Sequence, residues 1–230
     1  MKKQIAVAVL SAALLAAAVY PASTFAASTF QDIAHSKYRT QIEALQEAGI
    51  VKGVSKTEFQ PEEQLTAGQG VSLIVKTTEI SLAAISFKKA PTADGFYTRV
   101  KNDAWYADSF IIAHYNGLDI PKDIDPNAAI TREQFTHYLV QAIEKTGQYP
   151  LIKMYISISD EQDIETSYQG TVQRALLYKL ASLDKDGRFH PQQVLTREEA
   201  ADMLYKANEF IQSHRDNAPV SPVDEGQLFE

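Results

Sequence analysis

The sequence predicts an all-α fold made of three helix-loop-helix repeats, on three observations. Pro61, Pro126 and Pro191 stand at equal steps of 65 residues, and a constant step of that size marks an internal repeat. Five residues after each proline comes a threonine that opens a helix-start signature. The copies read Leu65-Thr66-Ala67-Gly68-Gln69-Gly70, Ile130-Thr131-Arg132-Glu133-Gln134-Phe135 and Leu195-Thr196-Arg197-Glu198-Glu199-Ala200. Before each proline, apolar residues recur at helical spacing.

Taken in order, the chain begins with a predicted secretory signal over residues 1–26. Lys2 and Lys3 supply the basic start, Ile5 to Val19 the apolar run, and Thr24-Phe25-Ala26 a small-residue cleavage site. The run is short for a membrane anchor, and no stop-transfer charges follow. The mature chain is expected to start near Ala27, with no membrane span. The formal charge of −7 becomes −9 once Lys2 and Lys3 are lost. An acidic exported chain argues against nucleic acid and anionic membrane surfaces as partners. There is no cysteine, hence no disulfide framework and no thiol nucleophile. About 200 residues with an ordinary apolar fraction can bury a core without cross-links.

The first helix of each repeat carries a stripe of Ile42, Leu45 and Ile50, then Phe110, Ala113 and Leu118, then Val172, Ala175 and Leu180. Counting the tyrosine four residues before each stripe, spacings of three, four and eight put these on one helical face, which reads as core. Tyr38, Tyr106 and Tyr168 lie four residues before each stripe; a tyrosine can pack its ring and leave its hydroxyl for a ligand. Gly49 and Gly117 suit C-cap positions. Lys179 stands at the third, so that helix is expected to end differently.

A loop follows, ending in Phe59 and Phe189 two residues before the proline in the first and third copies; the second has Ile124. Asp184-Lys185-Asp186-Gly187 lacks the ligand set of a calcium loop, so no metal is predicted. The second helices then begin at Thr66, Thr131 and Thr196 as N-caps. Gln69, Gln134 and Glu199, three residues on, complete capping boxes. Arg132 and Arg197 at the first helical position are not required by capping, and the helix dipole mildly disfavours them. A guanidinium beside free helix amides makes a receptor for carboxylate or phosphate. The competing reading is a solvated arginine paired with a nearby carboxylate. The repeats are expected at about 28–80, 96–145 and 156–212, within 27–214, with long connections around 76–99 and 146–159. Residues 215–230, acidic and proline-rich without periodicity, read as a disordered tail.

These features together resemble the S-layer homology (SLH) family. Its repeats open on an aromatic-x-Asp, as in Phe30-Gln31-Asp32. They carry a Gly-Ile-x-x-Gly loop, as in Gly49-Ile50-Val51-Lys52-Gly53, and an aromatic-x-Pro step, as in Phe59-Gln60-Pro61 and Phe189-His190-Pro191. Their second helix opens on Thr-Arg-Ala-Glu, as in Thr131-Arg132-Glu133 and Thr196-Arg197-Glu198-Glu199. The first copy departs at Ala67-Gly68. The second has Trp105-Tyr106-Ala107-Asp108 instead of the opening motif, and the third lacks the loop glycines.

The resemblance implies three repeats around a pseudo-threefold axis, with inter-repeat grooves that receive a secondary cell-wall polysaccharide, often bearing pyruvyl ketals. It places Arg132 and Arg197 on the ketal carboxylate and Trp105, Tyr106, Tyr38 and Tyr168 against sugar rings. Asp32 joins the ligand-binding set, Glu133 and Glu198 order the helix starts, and the groove beside Ala67 is expected to be weak or empty. The expected protein is a non-catalytic wall-binding module on the cell surface, without cofactor. The alternative is an envelope protein-interaction module with degenerate grooves. An enzyme is disfavoured, since the sequence contains no His-Glu-x-x-His, Gly-x-Ser-x-Gly or phosphate-loop motif.

Overall fold

The computed structural model describes residues 30–149 and 153–215. The predicted signal over 1–26 and residues 216–230 of the predicted tail lie outside them. Among the described residues are six α-helices: α1 (Arg39–Glu47), α2 (Ala67–Thr78), α3 (Ala107–Tyr115), α4 (Arg132–Glu144), α5 (Gln169–Leu177) and α6 (Arg197–Arg215). Two single 3-10 turns, Ala93–Gly95 and Glu161–Asp163, complete the list. No strand is present among the described residues, whose fold is all-α. The tail boundary needs correction: α6 runs through Arg215, which pairs with Glu79 at 2.9 Å.

Each first helix forms for the reason its stripe suggests. Ile42 and Leu45 on α1, Phe110 and Ala113 on α3, and Val172 and Ala175 on α5 are all buried. Ile50, Leu118 and Leu180 are buried too, but they lie past the helix ends. Their amides reach back to Leu45, Ala113 and Ala175 at 2.8, 3.0 and 2.8 Å, the long-range bond of a left-handed helix stop. Gly49 and Gly117 hold that turn at φ +69° and +72°, and Lys179 holds it at φ +59°. The expectation of a different ending for the third copy is therefore corrected. The surrounding bonds impose one backbone shape on all three, and Lys179 carries the strain that glycine avoids. Lys179→Gly should raise stability by about 0.5–1 kcal/mol in urea unfolding.

The second helices are held by their caps. Thr66 and Thr131 each take part in a capping box with Gln69 and Gln134. Thr196 and Glu199 exchange the same two bonds, at 3.3 and 3.0 Å.

The three helix pairs close into a ring. α1 packs on α6, α3 on α2 and α5 on α4, while α2, α4 and α6 meet one another. At the meeting point the backbone bonds run in a cycle. Leu65 N donates to Leu195 O at 2.9 Å, Leu195 N to Ile130 O at 3.1 Å, and Ile130 N to Leu65 O at 2.9 Å. All three residues are fully buried. Buried amides must find acceptors, and these three segments supply them to one another.

The long connection after α2 is also packed. Tyr97 sits edge-on to Phe110, and Phe96 stacks on His114 at 3.9 Å.

Candidate functional site

The same cycle decides what the helix starts can do. Arg197 N and Glu198 N donate to Glu63 O and Pro61 O, both at 2.9 Å. Arg132 N and Glu133 N donate to Gln193 O and Pro191 O at 2.8 and 3.0 Å. Ala67 N and Gly68 N donate to Ala128 O and Pro126 O at 2.9 and 2.8 Å. Every such amide is already used by the turn before a neighbouring second helix. The expectation of free helix amides beside the arginines is thus overturned, because ring closure consumes them.

The arginines themselves cross the seams between helix pairs. Arg197 Nε donates to Phe59 O at 2.8 Å and one terminal nitrogen to Lys52 O at 3.2 Å, with the guanidinium 4.6 Å from the Phe59 ring centroid. Arg132 donates to Ser182 O at 3.2 Å and lies 5.1 Å from the Phe189 ring centroid. Among the described residues neither guanidinium is paired with a carboxylate. Burial holds both pKa values below the ordinary arginine value.

Glu133 and Glu198 do more than order a helix start. Glu133 accepts from Glu165 N at 2.9 Å and from Gln192 at 2.7 Å, and Glu198 accepts from Ser36 at 2.5 Å. Each ties down the entry to the neighbouring pair's first helix. Gly68 stands where they would, and a Cβ there would lie 2.9 Å from the Tyr106 ring. Asp32 has a structural role as well. Its carboxylate accepts from Phe59 N at 2.9 Å and Gln60 N at 2.7 Å, so it holds the loop that carries Phe59. Asp160 does the same for Phe189 N and His190 N, at 2.7 and 2.8 Å. The Ile158-Ser159-Asp160 run was the sequence signal for it, lacking only the aromatic.

At the Arg197 seam the surface opens into a cleft of about 610 Å³. Phe59, Leu65, Ala201 and Leu204 give it apolar lining, and α2 contributes Gln69, Ser72 and Lys76. The loop after α1 adds Lys52 and Gly53, and Trp105 comes from the entry to α3. Gly53 cannot be replaced cheaply: a Cβ there would stand 2.4 Å from both Glu58 O and Phe30. Trp105 is 70% exposed, which leaves its indole open at the edge of the cleft.

The cleft gathers positive charge on an acidic protein. Lys52, Lys76 and Arg197 line it, and no carboxylate does. Among the described residues neither lysine has an ion-pair partner. Burial, and then the neighbouring Lys52 ammonium, lower the Lys76 pKa, the mark of positive charge without local compensation.

Of the other residues singled out, Tyr38, Tyr106 and Tyr168 occupy the N-cap positions of α1, α3 and α5. Tyr106 packs edge-on to Trp105 and Phe110. Tyr168 stacks on His137 at 4.1 Å in the seam beside Ala67. The structure therefore brings Arg197 and Trp105 to one cleft, and Arg132, Tyr38 and Tyr168 to other places. Lys52, Lys76 and Ser72 were not picked out from sequence, and Gln69 was picked out only as a capping residue.

Two segments of the chain, residues 29–69 and 158–201, match the S-layer homology domain. They include the loop after α1 and the start of α6, the two sides of the seam that Arg197 crosses. Domains of this family occur in surface-layer proteins and cell-surface enzymes, serve as anchoring modules and bind cell-wall polymers. The chain is 28% identical over 177 residues to the exoglucanase XynX of Acetivibrio thermocellus, covering 76% of this chain and 16% of that protein. It is equally similar to the amylopullulanase of Thermoanaerobacterium thermosulfurigenes, over 76% of this chain and 9% of that one. It is 28% identical over 162 residues to the surface-layer 125 kDa protein of Lysinibacillus sphaericus, over 66% and 13%. The chain thus spans a small part of the length of these relatives. No helix among the described residues is long and apolar enough to cross a membrane.

Proposed function

We propose that this protein is a non-catalytic wall-binding module that holds to a secondary cell-wall polysaccharide through the cleft at Arg197. The carrying observation is the cleft's composition: three cations, no carboxylate and an exposed tryptophan. A carboxylate on a sugar, such as a pyruvyl ketal, answers the cations, and the pyranose face answers the indole. Among the described residues Arg197 keeps one terminal nitrogen, Nη1, without a partner, so it can bind the loop and a ligand together.

Three repeats related by a pseudo-threefold axis account for the cyclic bonds at Leu65, Ile130 and Leu195, with α3 and α4 as the middle repeat. The net negative charge opposes an anionic polymer at long range. Salt screens that field over roughly 10 Å, so the local cations prevail within the cleft. Export to the cell surface accords with this reading.

The test is co-sedimentation with purified walls, untreated or stripped of secondary polymer by hydrofluoric acid. The wild type should sediment with untreated walls only. The Lys52→Ala, Lys76→Ala, Trp105→Ala triple variant alters exposed side chains and should stay in the supernatant with its helicity unchanged. Equal sedimentation with stripped walls, or retention of the triple variant, would refute the proposal.

A further inference from the structure

The three seams are built from equivalent positions, and side-chain chemistry separates them. Steps of 65 residues carry Gln69, Ser72 and Lys76 on α2 to Gln134, His137 and Gln141 on α4, and to Glu199, Asp202 and Lys206 on α6. Each trio flanks one seam. We infer that only the seam of Arg197 accepts an acidic ligand, and that the residue at position 72, 137 or 202 decides this. The inference rests on the anionic-ligand reading of the cleft above.

At the Arg197 seam the position is Ser72. Its Oγ is buried and has no protein partner, so it can donate to an incoming oxygen without breaking an existing bond. Lys76, one turn further along α2, is unpaired. The carboxylates that act on Arg197 are those of Asp32 and Glu63. Neither lines the cleft, and Asp32 is bound to backbone amides.

At the Arg132 seam the position is Asp202, only 8% exposed. It holds Lys206, the counterpart of Lys76, at 2.7 Å. Glu199 and Asp202 both bear on the Arg132 guanidinium. A ligand carboxylate entering here would meet two protein carboxylates and a lysine already engaged. Like charges brought together in a partly desolvated seam repel strongly. Arg132 thus faces acidic neighbours without pairing with them, and its buried Nε has no partner among the described residues.

At the third seam there is no arginine, since Ala67 is buried in its place. The position is His137, whose Nδ1 meets Thr171 Oγ1 at 2.9 Å while its ring stacks on Tyr168. Gln141 accepts from Asp119 N at 2.9 Å. Protein groups fill this seam.

The prediction concerns stoichiometry. Isothermal titration of the full chain with a methyl hexoside bearing a 4,6-pyruvyl ketal should show one site per chain. Glu199→Gln with Asp202→Ser should raise this to two, because the glutamine keeps the capping acceptor and the serine copies position 72. Should the pair fold poorly by circular dichroism, the isosteric Asp202→Asn carries the same expectation of a second site. The reverse change, Ser72→Asp, should weaken the wild-type site by roughly tenfold or more. Two sites in the wild type, or a single site persisting in folded Glu199→Gln, Asp202→Ser protein, would overturn the inference and leave the wall-binding proposal standing. No binding to the wild type would overturn both.

Discussion

Arg197→Ala should weaken binding of the wall polymer at least roughly 100-fold, while Arg132→Ala should leave it within about twofold. The first figure corresponds to the few kcal/mol that truncating one partner of a desolvated, hydrogen-bonded charge pair typically costs. The two arginines form an internal control. Both stand at the first position of a second helix, both donate across a seam to a loop carbonyl, and both lie over a phenylalanine. Both truncations should therefore cost comparable stability, about 1–2 kcal/mol for the lost hydrogen bonds and ring contact. A fall in binding that follows Arg197 alone is not a general loss of stability. Arg197→Lys should recover little, since an ammonium cannot bridge a loop carbonyl and a ligand as a planar fork does. Retention assays paired with urea midpoints give both readouts. Equal binding loss in the two variants would return Arg197 to the role of a structural staple.

Acidification from pH 6.5 to pH 4.5 should destabilise the fold by about 2 kcal/mol through His137. Burial lowers its pKa from 6.5 to about 4, outweighing the opposing influence of Asp119, while Arg174 lowers it further. The unfolded chain protonates this imidazole near pH 6.5, whereas the folded chain does so only near pH 4. Within that window the unfolded state binds more protons, so stability falls as pH falls. Above pH 6.5 both states are neutral at this residue and the effect vanishes. Nε2 is buried without a partner, so a proton there would have no acceptor. Thermal unfolding in steps across pH 4.5–7 measures the slope, and His137→Gln should flatten it. The window stays above the range where Asp184, held down to about 2 by backbone amides and then His190, loses its charge. A slope unchanged in His137→Gln would assign the acid sensitivity to other groups.

Much of the local structure was legible in the sequence. The threonines cap, Gln69, Gln134 and Glu199 close the boxes, and the stripes from Ile42, Phe110 and Val172 are buried. These are contacts within one turn or one helix face, where spacing alone sets distance. Of the ligand candidates read from sequence, Arg197 and Trp105 line the cleft; Arg197 stood out because capping does not require it, and Trp105 through the family resemblance. The roles of Glu133, Glu198 and Asp32 were less legible. Their partners lie 32, 162 and 27 residues away, where spacing carries no geometric information. Lys179 shows the limit from the other side: its residue type argued against a shape that the bonds around it impose.

By itself, then, the sequence determined the class of fold, the starts of the second helices, the glycine stops at Gly49 and Gly117, and the 65-residue step. Only the tertiary structure decided that the helix-start amides are used up, that Lys52 and Lys76 join Arg197 in one cleft, and that Asp202 engages Lys206. The physical reason is ring closure. Each seam takes one side from one helix pair and the other from its neighbour, so its charge and its vacant hydrogen bonds depend on which copy stands beside which.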